Sequence, residues 1–117
     1  MTIPVAVNCG VSQRAPQQLR EYIEAHLENS VSLEVLAGIA GLSLSYFSRA
    51  FKQSEGVAPH DYLMRRRVHR ALELLAGTDL PLSAIACASG FSDQSHLARR
   101  FRQHFGITPS RYRWLTR

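Results

Sequence analysis

Apolar positions recur along this chain with the spacing of helices and show no credible strand alternation. Leu19, Tyr22, Ile23 and Leu27 follow the i, i+3, i+4, i+8 stripe of a core-facing helix, which Asn29 and Ser30 end. Ser32 is placed to cap a second helix from Leu33 to Ala40, with Leu33, Leu36, Ala37 and Ala40 on one face. Gly41 breaks that helix. Ser43 can cap a third, which runs to about Glu55, buries Phe47, Ala50 and Phe51, and closes on a left-handed Gly56. Pro59 suits the first turn of a longer amphipathic helix that reaches about Leu75. Its apolar residues are Tyr62, Leu63, Ala71, Leu74 and Leu75, and its polar ones are Arg65, Arg66, Arg67 and Arg70. Gly77, Thr78 and Asp79 form a turn. Pro81 begins a helix through Ala88, which Gly90 breaks. Another runs from about Asp93 to Phe105 and stops at Gly106; a last one starts with Thr108 as cap and Pro109 behind it. The pattern predicts an all-α chain of about seven helices. Residues 1–15 lack any period and are expected to form a loose arm.

The pattern also repeats. Leu36 to Tyr62 and Ile85 to Tyr112 are two copies of one motif. Ala37 matches Ala86 and Gly41 matches Gly90 at an offset of 49. Phe47 matches Leu97, and Phe51, Gly56, Pro59 and Tyr62 match Phe101, Gly106, Pro109 and Tyr112 at an offset of 50, so one residue is inserted in the second turn. A helix-turn-helix brings two short helices together at a steep angle. The small Ala37 and Ala86 allow the approach, Gly41 and Gly90 allow a left-handed turn, and Phe51 and Phe101 anchor the second helix of each copy. The expected organisation is an arm over 1–15, a first helix-turn-helix subdomain over 16–57, a linker helix over 58–76 and a second helix-turn-helix subdomain over 77–117.

Charge gives this repeat a direction. The net charge is +5, and 13 of the 14 basic residues are Arg, with Lys52 the exception. Residues 1–57 carry 4 basic and 5 acidic side chains, whereas residues 58–117 carry 10 basic and 4 acidic. A basic balance on part of a small domain suits phosphate binding. No run of apolar residues is long enough to span a membrane, and the first ten residues lack a secretory pattern, so a cytoplasmic protein is expected. Cys9 and Cys87 have no Cys or His at ligand spacing, which argues against a zinc site; no cofactor is expected, and Cys87 reads as a small, partly buried residue.

Here the residues resemble a known family. Ile85-Ala86, Gly90-Phe91, Asp93, Ser95-His96-Leu97, Arg99, Phe101-Arg102, Gly106, Thr108-Pro109 and Tyr112-Arg113 resemble the signature of the AraC/XylS family of bacterial regulators around its second helix-turn-helix. Arg67, Ala71, Leu74 and Leu75 resemble that family's linker helix. Arg102 stands where many members have Lys, which keeps the charge. The resemblance covers the chain from Leu19 to Arg113 and implies a homeodomain-like, AraC-type fold. With about 15 residues before its first helix, the chain resembles the stand-alone members, which bind DNA as monomers; the DNA-binding domain of a longer effector-responsive regulator would look the same.

The second helix of each copy would then enter a major groove with its N-terminal half on the base edges. Positions outside the core stripes are Ser45, Ser48 and Arg49 in the first copy and Gln94, Ser95, His96 and Arg99 in the second; family members use the matching positions for base contacts. Arg pairs bidentately with guanine and Gln with adenine. Lys52, Arg100, His104, Ser110 and Arg111 are the phosphate candidates, together with helix starts at Ser32, Leu82 and Thr108. Arg65, Arg66 and Arg70 read as a solvated face, and Arg67, near the apolar stripe, as a tie between the two halves. A linker of about 17 residues spans roughly 25 Å, against about 34 Å for one DNA turn. The expected target is a non-palindromic site of about 20 base pairs in two successive major grooves. The resemblance implies an activator that also touches RNA polymerase. An adaptor that reuses the fold for protein contacts is the competing class. An enzyme, such as a regulator with alkyl transfer to Cys9, is disfavoured because that thiol has no activating neighbour.

Overall fold

The computed structural model describes residues 14–117, with side chains from Gln17 onward. Most of the expected arm, and Cys9 with it, lies outside the described residues. Within them are seven α-helices and no strand: α1 (Arg14–Ala25), α2 (Leu33–Ala40), α3 (Leu44–Glu55), α4 (Pro59–Gly77), α5 (Leu82–Ala88), α6 (Gln94–Phe105) and α7 (Pro109–Leu115). The helix α1 starts two residues earlier than Pro16 suggested. Pro16 falls in its first turn, where a missing backbone N–H costs no helical bond.

The chain forms two compact units. The first holds α1, α2, α3 and the start of α4 through Leu63. Its buried residues include Leu19, Ile23, Leu36, Ala37, Phe47, Ala50, Phe51 and Leu63. Ser32 starts α2 by accepting from the N–H groups of Glu34 and Val35, and Gly41 ends it at φ 73°. Ser43 starts α3 by accepting from Tyr46 N–H, and Gly56 ends it at φ 82°. Phe51 packs edge-on against Tyr62, with ring centroids 5.4 Å apart.

The second unit comprises Met64–Arg117 together with Leu27–Asn29. Its core is Val68, Ala71, Leu75, Ile85, Ala86, Phe91, Leu97 and Phe101, with Met64, Leu72, Leu74, Leu82, Phe105, Ile107 and Tyr112 packed against it. Asp93 caps α6 by accepting from His96 N–H at 2.7 Å. Thr108 caps α7 by accepting from Arg111 N–H, with Pro109 behind it. Cys87 is exposed, not partly buried as its sequence context suggested. The inward face of α5 is taken by Ile85, Ala86 and Ser89, which leaves position 87 pointing outward.

Arg67 is buried in this unit. Its Nε donates to the Leu27 carbonyl at 3.1 Å and its Nη2 to the Asn29 carbonyl at 2.8 Å. Burial lowers its pKa, although a guanidinium stays charged at any ordinary pH. Fifty positions on, Arg117 does the same for the end of α4, reaching the carbonyls of Leu75 and Thr78 and the Asp79 carboxylate. Arg113 donates to Leu75, Thr78 and Leu80.

Gly90 has two reasons to be glycine. Its φ is +90°, and a Cβ built there would lie 1.9 Å from the Leu27 carbonyl oxygen and 2.6 Å from Arg67 Nε. Gly41 shares only the positive φ, with open space around it. Gly41→Ala is therefore expected to cost about 1–2 kcal/mol, and Gly90→Ala about 3–4 kcal/mol once the backbone clash is added. Urea unfolding of the two variants checks this; equal losses would show that the contact with Leu27 relaxes freely.

Candidate nucleic-acid interface

Two helices, α3 and α6, present the candidate base-reading residues. In α3 the core takes Phe47, Ala50 and Phe51. A turn of about 100° per residue then puts Ser45, Arg49 and Lys52 on the opposite ridge. All three are exposed, while Ser48 is half-buried. The Arg49 Nη1 donates to Ser45 Oγ at 3.0 Å. That bond holds the guanidinium along the ridge and leaves its other donors free for a partner.

In α6 the core takes Leu97 and Phe101. Gln94, Ser95 and Arg99 are exposed, and His96 is half-buried. The His96 ring stands edge-on to Phe91, with centroids 5.2 Å apart. Its Nδ1 lies 3.4 Å from Ser92 N and 3.2 Å from Ser92 Oγ. With Nδ1 accepting from the Ser92 backbone, Nε2 is left to carry the proton. Burial, then the charges of Arg99 and Arg100, lower the His96 pKa, so the ring is neutral near pH 7.

The phosphate candidates differ among themselves. Lys52, His104, Ser110 and Arg111 are exposed. Arg100 is half-buried, with its Nε enclosed and unpartnered and its Nη1 3.5 Å from Gln103 Oε1. The Arg111 guanidinium lies over the Trp114 ring at 5.9 Å. His104 packs edge-on against His69 and Phe105 at 5.4 and 4.6 Å. Partial desolvation, then His69 and Arg65, lower its pKa, so near neutrality it is mainly a neutral donor with a single N–H. Arg99, Arg102 and Gln103 line a shallow hollow with Ala98 and Thr108 on the outer side of α6.

Helix starts also separate. The α2 terminus carries Glu34, whose carboxylate accepts from Ser32 Oγ at 2.8 Å; that bond, then its own backbone N–H, lowers its pKa. A negative side chain thus stands where a phosphate would have to come. The α5 terminus at Pro81 has no side-chain cap and no acidic residue in its first turn. Among the described residues no group of three or more His, Cys, Asp or Glu is arranged to hold a metal, and no helix is long and apolar enough to cross a membrane.

A helix-turn-helix domain model matches residues 36–114, which takes in both copies of the repeat. The chain belongs to the AraC/XylS family. It is 40% identical over 96 residues to the probable transcriptional regulator LumQ of Photobacterium leiognathi, covering 82% of this chain and 39% of LumQ. An AraC-type DNA-binding domain structure from Chromobacterium violaceum superposes with a TM-score of 0.82 at 33% identity, covering 89% of this chain and 93% of that one. The DNA-binding domain of AdpA, solved with a target DNA, gives 0.80 at 30% identity, covering 85% and 89%. The chain spans less than two fifths of the length of the first curated AraC/XylS relatives it matches.

Within this AraC/XylS framework, several residues escaped the sequence pattern. Arg117 could have been found by adding the repeat offset to Arg67. Arg113 was visible only as part of the family signature. No motif or stripe singled out Leu44 and Tyr46, which are 40% and 53% exposed on α3.

The imidazoles also generate a pH dependence. His96 and His104 have folded pKa values below their usual 6.5, so around that pH the unfolded chain binds more protons than the folded one. Stability is expected to fall as pH drops from about 7.5 to about 5.5. Urea midpoints across that range should show a flatter slope in the His96→Gln/His104→Gln variant; an unchanged slope would place the effect elsewhere.

Proposed function

We propose that this chain is a sequence-specific, DNA-binding transcription regulator that reads a non-palindromic bipartite site as a monomer. The observation that carries the reading is that each helix-turn-helix exposes an arginine at the same register, Arg49 and Arg99, on the outward ridge of its second helix. An outward Arg in that helix is the commonest reader of guanine in the major groove. Ser45, Ser48, Gln94, Ser95 and His96 share the base-reading role, with Gln94 suited to adenine. Lys52, Arg100, His104, Ser110 and Arg111 serve as phosphate contacts, His104 as a neutral donor.

The two units are successive copies in one chain, so their direct repetition matches a tandem site and not a two-fold palindrome. AdpA, whose DNA-binding domain was solved on target DNA, supports DNA as the partner. The site is about 20 base pairs long, spread over two successive major grooves. The protein works in the cytoplasm as an activator that also touches RNA polymerase.

Selection of bound duplexes from a random pool is expected to return a bipartite motif with half-sites about ten base pairs apart. Arg49→Ala and Arg99→Ala should each weaken the selected duplex by about 1–3 kcal/mol and relax one half-site. Lys52→Ala should weaken all sequences alike and lower the salt slope by about one. Failure to retain any duplex would favour a protein-contact role for the fold; a lone half-site would mean that a single unit reads DNA.

A further inference from the structure

The two candidate reading helices differ most where their first turns flank the arginine ridge. In α3 the flanking residues are Leu44 and Tyr46, each roughly 100° around the helix from the Ser45–Arg49 line. They are 40% and 53% exposed. Fifty positions on, the second unit has Gln94 and His96 at the same register. His96 turns its ring against Phe91 and its Nδ1 toward Ser92. The residue matching Phe91 in the first unit is Leu42.

Single exposed apolar residues are ordinary on protein surfaces. Two of them on both sides of one arginine, in the turn nearest the base edges, are a different matter. The major groove has one apolar feature, the C5-methyl of thymine. Guanine, cytosine and adenine present donors and acceptors there, and an apolar side chain pressed on those edges strips their water without replacing it. Leucine and a tyrosine ring therefore favour thymine by attraction and disfavour the other bases by desolvation.

We propose that Leu44 and Tyr46 are specificity-determining residues that select thymine methyl groups in the half-site read by the first unit. The second unit, with Gln94 and His96 there, reads its half-site by hydrogen bonds. The half-sites then differ in chemistry as well as in sequence, which fixes which end of the site each unit takes. This inference rests on the DNA-reading role proposed above, and the experiment separates the two.

The probe is the duplex selected by the full chain, with each thymine replaced in turn by deoxyuracil, which keeps the pairing and removes the methyl. The first unit's half-site is the one whose sequence preference Arg49→Ala relaxes. There, wild type is expected to lose about fourfold in affinity per contacted methyl, the transfer free energy of one buried aliphatic carbon. Leu44→Gln/Tyr46→His, which installs the second unit's residues, should bind thymine and deoxyuracil duplexes alike. Circular dichroism of that variant checks that α3 still forms, and the wild-type comparison decides the matter without it. A change under about twofold at every thymine of that half-site, or a selected half-site with no thymine, would overturn the inference. Retention of no duplex at all would instead defeat the DNA-reading role beneath it.

Discussion

Carbonyl groups at the end of a helix need donors, and in a packed interior water cannot supply them. The second unit is organised around this demand. Arg67 serves Leu27 and Asn29, while Arg113 and Arg117 serve Leu75, Thr78 and Leu80. Hydrogen bonds from a charged donor are worth about 1.5–3 kcal/mol each, and loss of the Arg67 bond would leave the buried Leu27 carbonyl bare. Other choices follow from the Arg67 contact. Gly90 must lack a side chain because the Leu27 carbonyl comes so near, and the left-handed turn between α5 and α6 must be made there. That turn in turn sets the direction in which α6 leaves the core. A line of dependence thus runs from a guanidinium in α4, through a glycine, to the helix that carries Arg99.

The repeat is faithful where the fold needs it and unfaithful where recognition would. Burial follows the same sequence of buried, half-buried and exposed residues over 51–60 and 101–110, down to the proline that opens the next helix. The outward residues diverge instead. Ser45 braces Arg49 in the first unit, whereas Arg99 has the hollow with Arg102 and Gln103 beside it. The flanks are apolar in α3 and polar in α6. Two units of one architecture can thereby carry two chemistries, which a symmetric dimer of identical units cannot do.

Periodicity and punctuation were enough to locate the helices. Ser32, Ser43 and Thr108 act as caps, and Gly41, Gly56, Gly90 and Gly106 all take positive φ, because these residue types have few other uses at helix ends. The outward positions Ser45, Arg49, Gln94, Ser95 and Arg99 of α3 and α6 were also legible, since a helix with a buried stripe has only one other face; Ser48 and His96 lie half-buried at its margin. What the pattern could not carry was partnership between distant residues. Arg67 lay beside the apolar stripe, but nothing local says that it meets carbonyls about 40 positions earlier. The exposure of Cys87 was missed because its small size suits either face of a short helix. The protonation of His96 and His104 was equally out of reach: partial burial, then Arg99 and Arg100 beside the one and His69 and Arg65 beside the other, lower their pKa values, and only tertiary packing shows that.

Trp114 is the single tryptophan of the chain, 71% exposed at the end of α7 with the Arg111 guanidinium over its ring. Its indole already sits in water in the folded state. Its emission wavelength therefore changes little when the core melts, so fluorescence would make a cooperative unfolding transition look shallow or absent. The same ring is well placed to sense the guanidinium above it. An anion that draws Arg111 away would alter the quenching of the indole, which turns a poor thermometer of folding into a built-in optical gauge of what α7 touches.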